Sequence, residues 1–161
     1  MDDKTHILTM LVENEPGVTA RVSGLFAGRN YNIDTICGAP THDPEISRIT
    51  ITTQANPQMF EQIMKQVRRL INVIKLRDMT GEKAVKREMA LICVQADIKK
   101  RTEIMQIADI FRSKIVDTGS KQIIMEVTGR PEKINALIDL LKPYGIKKLA
   151  RSGVLALYRE P

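Results

Sequence analysis

The sequence predicts an α+β protein made of two βαββαβ units in tandem, each a four-stranded antiparallel sheet with two helices on one face. Three observations carry this. The chain has 161 residues, which suits one ordinary domain or two of about 80. Its apolar spacing alternates between periods of 2 and 3.6 in the same order twice, repeating after about 80 residues. Between the two rounds, Thr80-Gly81-Glu82-Lys83 follows neither period, so the units are placed at 1–80 and 81–161.

In the first unit, His6 to Glu13 is a β-branched and aliphatic strand. Val18, Val22, Leu25 and Phe26 then recur on one helical face. Tyr31 to Ala39 reads as a second strand. After the turn Pro40-Thr41-His42-Asp43-Pro44, Arg48 to Thr53 alternates, with Ile49 and Ile51 on one face and Arg48, Thr50 and Thr52 on the other. Asn56-Pro57 supplies a cap and a first-turn proline for a helix carrying Phe60, Ile63, Val67 and Leu70. Val73 to Met79 closes the unit. The second unit repeats the order with a strand over Glu88 to Ala96, then a helix with Ile104, Ile107, Ala108 and Phe111 inward. Two strands, Ile115 to Thr118 and Gln122 to Thr128, lead to a helix after Pro131 with Ile134, Leu137, Ile138 and Leu141 inward, and Ile146 to Leu157 is the last strand. Both units are of ferredoxin-like type. Each small sheet leaves one face without helices, which a second copy of the chain would cover, so a homodimer joined through the first units is expected.

Composition narrows the function classes. Apolar residues are 43% and charged residues 27%, the balance of a soluble globular protein. No apolar run approaches the ~18 residues of a membrane span, and the opening Met1-Asp2-Asp3-Lys4 lacks the features of a secretory signal, so a cytoplasmic location is expected. Cys37 and Cys93 have neither a paired Cys nor a nearby His, and His6 and His42 stand alone. Reduced, buried thiols are expected, with no metal site. Residues 1–80 carry 9 Lys+Arg against 9 Asp+Glu, and residues 81–161 carry 16 against 10. The whole excess of +6 therefore sits in the second half, notably at Lys99-Lys100-Arg101. A solvated face, an acidic protein partner and nucleic acid all fit such a cluster.

Catalytic motifs are absent: there is no GxSxG, HExxH, Walker loop or GxGxxG. The βαββαβ fold also serves RNA binding by stacking bases on strand aromatics. Here Phe26, Phe60 and Phe111 all fall on inward helix faces, so no such platform exists and no nucleic acid partner is expected. The informative stretch is Glu13-Asn14-Glu15-Pro16-Gly17-Val18 at the first strand-to-helix junction. A tight turn at Pro16-Gly17 opens a helix whose first N–H groups, around Gly17, Val18 and Thr19, suit a carboxylate, or else simply begin a helix. Asn32, at the start of the second strand, is expected near the same pocket, where its amide would serve the ammonium and carboxylate of a free amino acid. The aliphatic residues around it would receive an aliphatic side chain.

These residues carry a resemblance. Leu11 to Val18, Arg21-Val22-Ser23-Gly24-Leu25-Phe26, Arg29-Asn30-Tyr31-Asn32-Ile33 and Ser47-Arg48-Ile49-Thr50-Ile51, continued by Ala150-Arg151-Ser152-Gly153-Val154, resemble the regulatory small subunit of acetolactate synthase, whose first half is an ACT domain. The resemblance implies a non-catalytic chain that binds and activates a separate catalytic large subunit and confers feedback inhibition by a branched-chain amino acid, usually valine. It implies no cofactor in this chain, with thiamine diphosphate, magnesium and FAD belonging to the catalytic partner. The family's effector site lies between the ACT domains of two chains, and its pattern maps here to Asn14, Gly17, Val18, Asn32 and Ile33. Asn30 departs from the usual glycine, yet tolerates left-handed backbone, and the tail Tyr158-Arg159-Glu160-Pro161 is atypical. The alternative is a freestanding ACT-type amino-acid sensor that acts on transcription through its basic second half.

Overall fold

The structure is a computed structural model that describes residues 4–81 and 83–159; Glu160 and Pro161 of the atypical tail fall outside them. The chain forms two compact units. One contains the residues up to Val85 together with those from Val154 onward, and the other is Lys86–Gly153.

The first unit runs β1 (Lys4–Glu13), α1 (Val18–Ala27), β2 (Thr35–Pro40), β3 (Ile46–Ala55), α2 (Pro57–Val67) and β4 (Val73–Asp78). Its sheet has the order β2-β3-β1-β4, with antiparallel neighbours throughout. The two-residue period of β1 sends Leu8, Met10 and Val12 toward the helices, where they share one core with Val18, Val22 and Phe26 of α1 and Phe60, Ile63 and Val67 of α2. α2 begins as its sequence directs. Asn56 accepts the Met59 N–H at 2.9 Å and Pro57 occupies the first turn. The opposite face of β1 presents Ile7, Thr9 and Leu11. Threonine pairs knit this face: Thr9 Oγ1 lies 3.1 Å from Thr50 Oγ1, and Thr35 Oγ1 lies 2.7 Å from Thr52 Oγ1.

The second unit is built from β5 (Ala84–Gln95), α3 (Ile98–Ile110), β6 (Lys114–Thr118), β7 (Gln122–Gly129), α4 (Pro131–Leu141), a 3-10 turn at Lys142–Tyr144, and β8 (Ile146–Arg151). Its sheet repeats the order of the first as β6-β7-β5-β8. Ala90, Ile92 and Val94 of β5 pack against Ile104 and Ala108 of α3 and Ile134, Leu137 and Leu141 of α4. Both units are thus ferredoxin-like, as the repeat predicts. Ile107 and Phe111 also face inward, packing half-buried at the margin of this core.

Two strands differ from expectation. The last one is divided: β8 stops at Arg151, Gly153 turns the chain at φ 77°, and β9 (Leu155–Tyr158) follows. This β9 belongs to the first unit, where the Arg159 N–H donates to the Lys83 carbonyl at 2.7 Å. Val154 and Ala156 pack there on Ile7 and Met79, so the chain's own end covers part of the sheet face that lacks helices. The second strand starts at Thr35 rather than Tyr31. Asn30 takes a left-handed φ of 57° and the Tyr31 N–H returns to the Phe26 carbonyl at 3.0 Å, which spends Tyr31 on closing α1. Cys93 is buried, while Cys37 on the edge strand β2 is only half-buried.

Candidate functional site

The β1–α1 turn is held by hydrogen bonds that the sequence alone does not reveal. Gly17 caps α1 at φ 87° and ψ −9°, a left-handed conformation that glycine adopts without a Cβ penalty, and no side chain caps the helix. The Val18 N–H leans back to the Glu15 carbonyl at 3.4 Å. Asn14 binds the turn between β2 and β3. Its N–H donates to the Glu45 carbonyl at 2.8 Å, its Nδ2 donates to the Pro44 carbonyl at 2.8 Å, and its Oδ1 accepts from Ser47 Oγ at 2.9 Å. One amide hydrogen and one lone pair of that side chain remain for a ligand.

Together these contacts shape a cleft of about 360 Å³ at one end of the sheet. Asn14, Glu15, Val18 and Thr19 form one wall, and Ile36, Gly38, Ala39 and Pro40 of β2 form the other, with Val12, Ser47 and Ile49 between. Glu13 also lines it. Its Oε2 accepts from Asn72 Nδ2 at 2.6 Å, and Asn72 Oδ1 in turn accepts from Arg21 on α1. This buried asparagine ties the end of β1 to the first helix, a link that its place in a short loop does not announce. The cleft therefore combines a helix N-terminus, a carboxylate and a small apolar wall. Such a set suits the carboxylate, ammonium and aliphatic side chain of a small amino acid.

Asn14, Gly17 and Val18 come together here, but Asn32 and Ile33 do not join them. Asn32 lies in the loop before β2, where its Nδ2 donates to Asp34 Oδ1 at 2.7 Å and its carbonyl accepts from Thr53 Oγ1 at 2.5 Å. Ile33 packs on the helix-side core. The register explains the separation. β2 runs parallel to β1, because both are antiparallel to β3, and Pro40 stands opposite Ser47 while Thr35 stands opposite Thr52. Asn32, bonded at Thr53, is thus about six residues of strand, roughly 20 Å, from the Asn14 turn. Within one chain the two polar elements occupy opposite ends of the sheet, which corrects the expectation of one shared pocket.

The basic cluster at the start of α3 also divides. Arg101 turns inward and its guanidinium donates to the Gly119 carbonyl at 2.6 Å and the Ser120 carbonyl at 3.2 Å, stapling the turn between β6 and β7. Lys99 and Lys100 are exposed. Among the described residues, no helix is long and apolar enough to cross a membrane.

Comparison with known proteins bears on both units. Residues 8–75 match the family described as "AHAS small subunit-like ACT domain", and residues 87–160 match "Small subunit of acetolactate synthase". The acetolactate synthase small subunit of Mycolicibacterium smegmatis is 44% identical over 98% of this chain and 92% of its own length. The chain belongs to the acetolactate synthase small-subunit family. The small subunit of Aquifex aeolicus is 46% identical over 98% of this chain and 82% of its own. A crystal structure of the small subunit from Thermotoga maritima superposes with a TM-score of 0.87 at 38% identity, covering 98% of this chain and 99% of that one. Family membership accordingly spans both ferredoxin-like units, the first of which is an ACT domain.

Proposed function

We propose that this chain is the regulatory subunit of acetolactate synthase, a cytoplasmic homodimer that activates the catalytic large subunit and makes it sensitive to a branched-chain amino acid, valine. The observation that supports this reading is the cleft at the β1–α1 turn, where a left-handed glycine opens a helix beside an aliphatic wall and a tethered carboxylate. The effector carboxylate sits against the first N–H groups of α1, its ammonium meets Glu13, and its side chain packs on Val18 and Ile36. No reacting group is placed in this cleft. Thiamine diphosphate, magnesium and FAD belong to the large subunit, where the chemistry is done.

Asn32 and Ile33 enter the site from a second chain. β2 is an edge strand with exposed backbone, and two such edges paired antiparallel about a two-fold axis bring the start of one β2 beside the end of the other. That pairing carries Asn32 and Ile33 of one chain to the Asn14–Val18 turn of its partner. Two equivalent composite sites result.

The test is reconstitution with the catalytic subunit. Turnover is expected to rise when this chain is added and to fall as valine is titrated in. A rate that does not respond to the added chain would refute the regulatory role, and activation that valine leaves unchanged would refute the effector site alone.

A further inference from the structure

On the face of the first sheet away from the helices, the strand register gathers three cations. Leu11 of β1 stands opposite Arg48 of β3 on one side and Lys75 of β4 on the other, and Thr9, the neighbouring β1 residue on that face, stands opposite Arg77. Strands lie about 4.8 Å apart and same-face neighbours along a strand about 6.7 Å apart, so the three positive side chains rise from a patch of roughly 10 by 7 Å. Between them is a cleft of about 140 Å³, walled on its apolar side by Met79, Leu157 and Tyr158. The Arg77 guanidinium sits 4.6 Å over the Tyr158 ring, which fixes it at the rim.

Composition does not force this concentration of charge, since acids and bases balance over residues 1–80. Glu13, the acid that β1 contributes to this face, is turned toward Asn72. Among the described residues, neither Arg48 nor Lys75 has an ion-pair partner. Gathering like charge on neighbouring strands is unfavourable, and an anion seated between them reverses the sign. We propose that this cleft binds a phosphoryl dianion, either free phosphate or the terminal phosphoryl of a larger metabolite. A carboxylate would balance only one of the two charges, at Arg48 and Lys75, that lack an ion-pair partner. A phosphoryl group brings about two, with oxygens enough to engage the Arg48 guanidinium fork and the Lys75 ammonium at once, while Arg77 stays over Tyr158 at the rim. The volume fits the phosphoryl group itself, and any body attached to it would emerge past the exposed Leu157. None of the residues lining this cleft lines the one at the β1–α1 turn, so the two sites are separate.

Calorimetric titration of the full chain tests the proposal, with inorganic phosphate and pyrophosphate as probes and ionic strength held constant with chloride. Saturable binding of one anion per chain is expected. Tighter phosphate than pyrophosphate identifies the free ion as ligand, and the reverse order identifies a terminal phosphoryl. Arg48→Gln and Lys75→Gln, both at solvent-accessible positions, are each expected to weaken binding about tenfold or more, while Lys99→Gln leaves it unchanged. Absence of saturation, or binding that both cleft variants retain at full strength, would overturn the proposal. So would acetate binding as tightly as phosphate, which would make the patch a docking point for carboxylates of a protein partner.

Discussion

At the scale of single residues, Gly17 and Asn14 divide the work at the β1–α1 turn. Gly17 is needed for its backbone. A Cβ built there meets nothing within 4 Å, so Gly17→Asp costs only the left-handed strain, about 1 kcal/mol, which aspartate tolerates better than most residues. In the proposed effector site, its tethered carboxylate would take the place of the effector's. The expected outcome is a reconstituted enzyme that is activated normally but no longer inhibited by valine, read from turnover against valine concentration. Asn14 has a different task, because its amide already serves Pro44 and Ser47. Asn14→Ala frees the β2–β3 turn, and losing two hydrogen bonds at an exposed site costs about 1–2 kcal/mol. Thermal melting of this variant should therefore fall by several degrees, with valine sensitivity reduced about tenfold or more. A melting temperature equal to wild type would show that the amide does not hold the turn.

At the scale of elements, the second unit depends on one buried ion pair. Glu88 on β5 is almost wholly buried and accepts from Arg151 Nε and Nη2 of β8, both at 2.7 Å, while Arg151 also donates to Asn135 of α4. Those hydrogen bonds, ahead of the simple charge attraction, push the guanidinium still further above its usual range. The two partners are not equally placed, since about a third of the Arg151 side chain meets solvent and none of Glu88 does. Arg151→Ala strands a buried carboxylate and is expected to cost about 3 kcal/mol, whereas Glu88→Gln keeps a neutral acceptor and costs less. Amide exchange in β5 and β7 should accelerate about a hundredfold in the first variant and clearly less in the second. How much of these elements was legible follows from what periodicity encodes. The 2 and 3.6 periods gave the order of eight strands and four helices around the two cores, missing the late start of β2 and the break between β8 and β9, and Asn56-Pro57 marked the start of α2 to the residue. Asn72, Glu88 and the Arg101 staple were not legible, since each is a polar side chain whose partner lies far along the chain. Asn32 was expected beside the Asn14 turn of its own chain for a related reason: composition marks a strand, but only the register says at which end of the sheet the chain enters it.

For the whole molecule, the proposed effector site needs two chains, because one chain holds Asn32 and the Asn14 turn at opposite ends of its sheet. The ACT sheet has part of its open face covered by β9, which shifts the expected pairing to the β2 edge. Light scattering at micromolar concentration should give the mass of a dimer, and Ile36→Lys on that edge should raise the dissociation constant at least tenfold, because it adds charge where two strands meet. Mixed dimers test the shared site directly. Chains carrying Gly17→Asp and chains carrying Asn32→Ala, separately tagged, are co-expressed and the heterodimer isolated. In it, one composite site holds both lesions and the other holds none. Calorimetry with valine is expected to find two sites in the wild-type dimer, sharply weakened binding in either mutant homodimer, and one site of wild-type affinity in the heterodimer. A heterodimer with no site of wild-type affinity would mean that Gly17 and Asn32 act within the same chain, contradicting a site built across the dimer.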